Sequence, residues 1–441
     1  MSMSHYRFLL LTPALLVFSC GKSTKKEPGS FDVIADVSKV YTNYYAFAAI
    51  KTDGSVVTWG SEGNGGDCGA QCSALKTNVV DIYSTNSAFA ALKSDGSVLT
   101  WGRNDYGGNT GSVGGKVSSG VSKIFSNGDA FAALKSDGSL VTWGSSINGG
   151  DSSSVAGSLG SGVAAVYGTS LAFAALKTNG SVVTWGSTIY GGDSSAETTW
   201  ISSGVIKMFS SPVAFVAMKT GGSLRTWGYT SRGGDSSSVA GAISIAGANV
   251  AKVVGNEGAF AAIKSDGSVV TWGDKDYGGD SSSVASQLSS GVSEVYHSDE
   301  AFAAVKTDGS VVTWGNATRG GDSSAVAGSL VSGVTRVIAT SKAMAALKTD
   351  GSVVVWGDSA QGGNSSAVAS FLTSGVTAIY STHGAFAALK SNGSVVTWGD
   401  SGLGGDSSLV SSNLSSGVTE IYSTASAFAA NKAGSIYTWG N

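Results

Sequence analysis

Apolar and polar positions follow one pattern along most of this chain. A run such as Val79-Val80-Asp81-Ile82-Tyr83 leads through four small or polar residues into Ala88-Phe89-Ala90-Ala91-Leu92-Lys93. Ser94-Asp95-Gly96-Ser97 intervenes, and Val98-Leu99-Thr100-Trp101-Gly102 completes the unit. Short β-branched and aromatic runs bounded by Gly, Asp and Ser read as strands, so each unit predicts three. The middle run is apolar on both sides, with Phe89 and Ala91 on one face and Ala90 and Leu92 on the other. Such a strand expects a sheet packed against each face. Asp-Gly between two apolar runs predicts a two-residue type I′ hairpin, which pairs Lys93 with Val98 and Ala90 with Trp101.

The unit recurs ten times, marked by Trp59, Trp101, Trp143, Trp185, Trp227, Trp272, Trp314, Trp356, Trp398 and Trp439. The spacing is 42 residues, apart from 45 between Trp227 and Trp272 and 41 between Trp398 and Trp439. A fixed period of this length means units too small to bury their own apolar faces, which must stack. Three-stranded sheets stacked around an axis form a β-propeller. The expected fold is therefore all-β, a single closed ten-bladed propeller over residues 31–441. The three-residue insertion near residues 241–250 leaves two five-bladed halves as the alternative. The tenth unit, with Asn431-Lys432-Ala433-Gly434, is one residue short, as terminal repeats often are.

The phrasing AFAALKSDGSVVTWG, followed by Gly-Gly and later Ser-Gly-Val, resembles the repeats of the RCC1-like (regulator of chromosome condensation) propeller superfamily. It is similar as well to the short three-stranded repeats of the secreted bacterial β-lactamase-inhibitor propeller. The resemblance spans residues 37–441 and implies a propeller. Both relatives have seven blades, and both usually carry Gly-Gln where this chain has Gly-Gly-Asp. Enzyme inhibition is one function the resemblance implies, although no inhibitory loop matches residue by residue.

Composition narrows the rest. The 441 residues include 64 Gly and only 3 Pro, with 42% hydrophobic residues and a net charge of −3. That apolar content makes the glycines turns rather than disorder. The absence of a basic stripe argues against nucleic acid. Arg7 precedes an apolar run from Phe8 to Phe18, too short to span a membrane and sized for a secretory leader. Val17-Phe18-Ser19-Cys20-Gly21 resembles a bacterial lipobox, which makes residues 1–20 a signal peptide, Cys20 the lipidated residue and 21–30 a flexible tether. The expected location is the bacterial outer membrane or cell surface. Cys68 and Cys72 remain, and in an exported chain a small disulfide is the expected pairing.

Strand order places the loop between the first two strands on the same face as the residues after Trp-Gly. That face varies between units, whereas the Lys-x-Asp-Gly turns opposite are monotonous. Tyr and Arg dominate binding hot spots, and loops on a rigid scaffold carry binding. The candidate binding residues are Tyr44, Tyr45, Arg103, Tyr106, Tyr190, Tyr229, Arg232, Tyr277 and Arg319. His297 and His383 stand two units apart and suggest no catalytic triad. The Gly-Gly-Asp steps recur far too sparsely for a calcium-binding nonapeptide array and read as turn caps. The repeated lysines are expected to solvate one face. A catalytic central channel is disfavoured, because the repeated inward positions read as Ala and Val. The sequence thus predicts an exported, lipid-anchored binding protein without cofactor or metal, and no enzyme. Its partner is a protein or glycan of the cell envelope or beyond, with inhibition or lectin activity as alternatives.

Overall fold

In the computed structural model, residues 34–245 and 247–441 are described. The leader, the tether and Cys20 lie outside them. The described chain forms ten separate three-stranded antiparallel sheets, each in the simple order inner, middle, outer. Blade 2 represents the rest, with an inner strand Val79–Ser84, a middle strand Ala88–Lys93 and an outer strand Val98–Gly102. Each inner strand lies beside those of both neighbouring blades, and Val37–Thr42 of blade 1 lies beside Glu420–Ser423 of blade 10. The ring is therefore complete, and no blade borrows a strand from another.

The hairpin differs from the expected one. Leu92 pairs with Val98 and Phe89 with Trp101, one residue away from the type I′ register. Only Gly96 has positive φ (77°), while Asp95 does not. The aspartate side chain supports the longer loop, its Oδ1 accepting from the Ser97 N–H at 2.9 Å and the Ser97 hydroxyl at 2.6 Å, although blade 5 keeps the same register with Gly221 in its place. That local bond favours a three-residue loop ending in a left-handed glycine. The two-residue turn occurs in blade 10, where Ala433 (φ 53°) and Gly434 (φ 81°) are both left-handed and Lys432 pairs with Ser435. The missing residue of the tenth unit is thus the extra loop residue of the others.

The one-residue shift sets the core. Phe89 faces Trp101, and their rings stack at 5.3 Å. Both pack on blade 1 through Ala46, Ala48 and Ile50, with Leu75 of the connecting linker sealing the junction. The Trp101 indole N–H donates at 3.1 Å to the carbonyl of Gly65, on the linker leaving blade 1. Gly65 is left-handed (φ 99°), and a Cβ there would stand 2.7 Å from Phe89 Cδ2, so only glycine lets the linker lie on the aromatic pair. The linkers are the fourth component of every blade. Their Asp caps work as expected: the Asp151 carboxylate accepts from the Ser153 N–H at 2.8 Å. Cys68 and Cys72 are bonded to each other in the first linker.

The repeated lysines do more than solvate a face. Lys93, Lys135 and Lys306 donate to carbonyls near the end of the preceding linker, those of Ala74, Lys116 and Gln287, at 3.0–3.2 Å. A cation at the carbonyl end of a helical turn is favourable. The lysine therefore clamps the linker, a role hidden in sequence because its partner lies 19 residues back.

Blade 10 meets blade 1 by the same main-chain bond as the other blades. Val79 N–H donates to Gly54 O at 3.3 Å within the chain, and Val37 N–H donates to Gly434 O at 3.3 Å across the closure. The place of the linker's end is taken by Ile34, whose carbonyl accepts from Ile436 N–H at 3.0 Å. Among the described residues, the Trp59 indole N–H is buried without an acceptor.

Candidate binding face

The loops joining inner to middle strands converge on the axis, and their tips bond to one another from blade to blade. Tyr44 N–H donates to Asn86 O, Asn86 to Gly128, Gly128 to Ser170 and Ser170 to Pro212, at 2.7–3.4 Å. Pro212 has no N–H, and there the series stops. It resumes with Glu257 to Asp299, Asp299 to Ser341, Ser341 to His383 and His383 to Ala425, at 2.9–3.3 Å. The ring is one object with two arcs of five tips. The five-and-five division suggested by the insertion survives here as two breaks in an axial hydrogen-bond belt, after Pro212 and after Ala425, not as two propellers.

The tips surround a polar depression of about 760 Å³ whose walls include Asn43, Thr85, Ser211, Asp299, Thr340 and His383. Asn43 shows how they are held: its Oδ1 accepts from the Tyr45 and Ala46 N–H groups at 2.8 and 2.7 Å, and its Nδ2 donates to Asn64 O at 2.7 Å. Loop tip and post-Trp-Gly stretch are thereby tied together on one face, as strand order predicted.

The structure gathers most of the candidate residues into two groups. Tyr44, Tyr45, Arg103 and Tyr106 line a cavity of about 250 Å³ across blades 1 and 2. Tyr44 packs edge-on against His383 at 5.4 Å, and the Arg103 guanidinium lies 4.8 Å over the Tyr106 ring. In the second group Arg232 sits between two rings, 5.7 Å from Tyr229 and 4.8 Å from Tyr277. Glu257 stands beside this group. Burial pushes its carboxyl above the usual carboxylate range, Asp299 adds to the rise and Arg232 opposes it.

Two candidates are placed elsewhere. Tyr190 packs with the junction core formed by Ile201, Phe215 and Trp227, as Tyr106 and Tyr277 also do at their own junctions, but it joins neither group, and Arg319 is engaged by the Glu300 carboxylate. Glu257, Asp299 and Glu300 are legible in sequence as varying loop positions of this face, but the candidate set rests on residue type, Tyr and Arg, which leaves them out.

The axis itself corrects the sequence reading. Ala and Val of the middle strands are buried between blades, not turned to the channel. The strands nearest the axis are the inner ones, which carry Lys39, Asp81, Lys123, Lys207, Lys252, Glu294, Arg336 and Glu420 at one recurring position. Lys39 pairs with Asp81 at 3.1 Å, and Lys252 with Glu294.

Among the described residues, the group of potential metal ligands that lies close together is Asp67, Cys68 and Cys72, and both thiols are spent in the disulfide.

A scan against protein families matches the Regulator of chromosome condensation (RCC1) repeat at residues 79–107, the blade 2 unit dissected above. No curated protein matches the chain in sequence. Solved structures similar to it include the ectodomain of the Physcomitrella patens receptor kinase CR4, with 15% identity over 63% of this chain and 73% of that one, and a TM-score of 0.34. Human WBSCR16 shows 15% identity over 55% and 77% of the two chains, with a TM-score of 0.35. Prp20p of Saccharomyces cerevisiae, described with its binding to Gsp1p and histones, shows 14% identity over 54% and 72%, with a TM-score of 0.31. The chain is a ten-bladed β-propeller, and its blade 2 unit is similar to the RCC1 repeat.

Proposed function

We propose that this propeller is an exported, lipid-anchored binding protein that recognises a macromolecule, most simply a protein, through its loop face and catalyses no reaction. The observation that carries the reading is the convergence of Tyr44, Tyr45, Arg103 and Tyr106, and of Tyr229, Arg232 and Tyr277, on that face of the ring. Large aromatic and guanidinium groups held on a rigid frame lose little entropy on binding. Arg232 between two rings is such a group. The anchor rests on the lipobox-like Val17–Gly21 and the tether behind it. Prp20p is described as binding Gsp1p and histones, which supports a protein partner as a class and no more.

Two experiments test the proposal. Alanine at Tyr45, Tyr229 and Arg232 together is expected to leave the circular dichroism spectrum and melting temperature nearly unchanged while reducing partner capture from intact envelopes at least tenfold. Undiminished capture would remove the loop face from the account. For the anchor, Cys20→Ala is expected to abolish fatty-acid labelling and release the protein from membranes. Membrane retention of that variant would refute lipidation.

A further inference from the structure

In a chain of near-identical units, departures concentrate in blade 5. Its outer strand Leu224–Gly228 carries Arg225 where the others have Val57, Leu99, Val141, Val183, Val270, Val312, Val354, Val396 or Tyr437. The linker leading into it carries Glu197 where the preceding linker has Val155 and the following one Val239. These two positions touch. At the blade 3–4 junction Val155 and Val183 share one apolar cluster, whereas here Glu197 Oε2 lies 3.5 Å from Arg225 Nε. Trp200, in place of Ser158, lies under both Arg225 at 5.4 Å and Lys219 at 4.5 Å. The substituted pair borders a cavity of about 460 Å³ on the outer rim, away from the axial depression.

Exchanging an apolar contact for a half-buried ion pair does not favour packing, because desolvation offsets the attraction. Burial indeed pushes the Glu197 carboxyl above its usual range, against the pull of Arg225. Arg225 Nη1 is spent on the Leu224 and Ser244 carbonyls and Nε on Glu197, which fixes the plane of the guanidinium. The rest of the lining is hydroxyl-rich, with Ser194, Ser236 and Thr226, and it carries the carboxylates of Asp193 and Asp235. A free cation would meet Arg225, and a free anion would meet three carboxylates. Paired donors and acceptors of opposite charge instead match a neutral group with adjacent hydroxyls. The volume lies within the ~300–1,000 Å³ of small-ligand sites.

We propose that the rim cavity at blade 5 is a saccharide-binding site, with the remaining Nη2 of Arg225 as donor and Oε1 of Glu197 as acceptor to adjacent hydroxyls. It is separate from the loop face and does not depend on the proposed macromolecular partner.

The test is saturation-transfer NMR on the purified full chain with glucose, galactose, N-acetylglucosamine, cellobiose and lactose as probes. At least one is expected to bind with a dissociation constant of about 1 mM or tighter. Glu197→Val with Arg225→Val, which restores the repeat's own residues, is expected to fold with an equal or higher melting temperature and to lose that signal. Glu197→Gln is expected to weaken it at least tenfold with no change in fold, and Arg232→Ala on the loop face is expected to leave it intact. Absence of signal from every probe, or its persistence in the double valine variant, would overturn the proposal. So would a response confined to acetate or methylammonium controls.

Discussion

At the scale of single residues, one side chain both braces the turn and sets its response to acid. Asp53, Asp95, Asp137, Asp266, Asp308 and Asp350 each have a carboxyl held below its usual range, first by the hydroxyl and then by the N–H of the serine two residues on. A carboxyl held low in the fold contributes stability that is complete above its unfolded pKa of ~3.9 and is lost as pH falls through the folded value. Asn179 and Asn392 make the same bonds without a charge. Replacing the six aspartates with asparagine is therefore expected to preserve the fold and to flatten the fall of melting temperature below pH ~4, as followed by thermal unfolding across pH. The tryptophans give a second contrast. Trp101→Phe removes the bond to Gly65 and leaves a buried carbonyl, a loss of about 1–3 kcal/mol beyond the lost contact area, whereas Trp59 has no such bond to lose. Chemical denaturation of the two variants is expected to show Trp101→Phe as the more damaging. The hairpins were legible in the sequence, but their register was not. Asp-Gly signals a turn without saying how many residues it spans, and the longer loop forms with the aspartate bond to Ser97 as well as in blade 5, where Gly221 replaces the aspartate.

At the scale of elements, the linker is what the sequence concealed. Its Ser, Ala and Val residues read as filler, yet Leu75, Leu159 and Leu288 each plug a junction, and lysines clamp the ends. Their partners lie in other blades, so no local pattern exposes them. Lys135→Met is expected to cost about 0.3–1 kcal/mol and to speed hydrogen exchange in the linker Gly111–Lys116 before the strands. The junction between blades 10 and 1 holds Val37, Val40, Phe47 and Ile436 around Ile34 and Trp59, and among the described residues no linker helix lies over them. The outer strand Val56–Gly60 is accordingly expected to exchange amide protons faster than its counterpart Leu140–Gly144 in blade 3. Equal protection would show that this junction is as tight as the rest.

At the scale of the molecule, the count of ten and the segregation of turns from loops were open to reading, because the Trp-Gly period and strand parity fix both. The axial belt was not, since a main-chain bond from one loop tip to the next leaves no mark on residue type. Pro212 did leave one, at one of the two points where the belt breaks. Glu257 and Asp299 gain their place on the binding face from this belt, and Glu197 with Arg225 emerges only when one blade is laid over another. The central claim is that the loop face, and not the turn face, meets the partner. Photo-cross-linking tests it most directly, with the cross-linker placed at Asn86 or Tyr229 on one face and at Asp95 or Asp308 on the other, in intact envelopes. The account predicts a discrete cross-linked partner from the first pair and none from the second. Cross-links to the same partner from Asp95 or Asp308, with none from Asn86 or Tyr229, would contradict it.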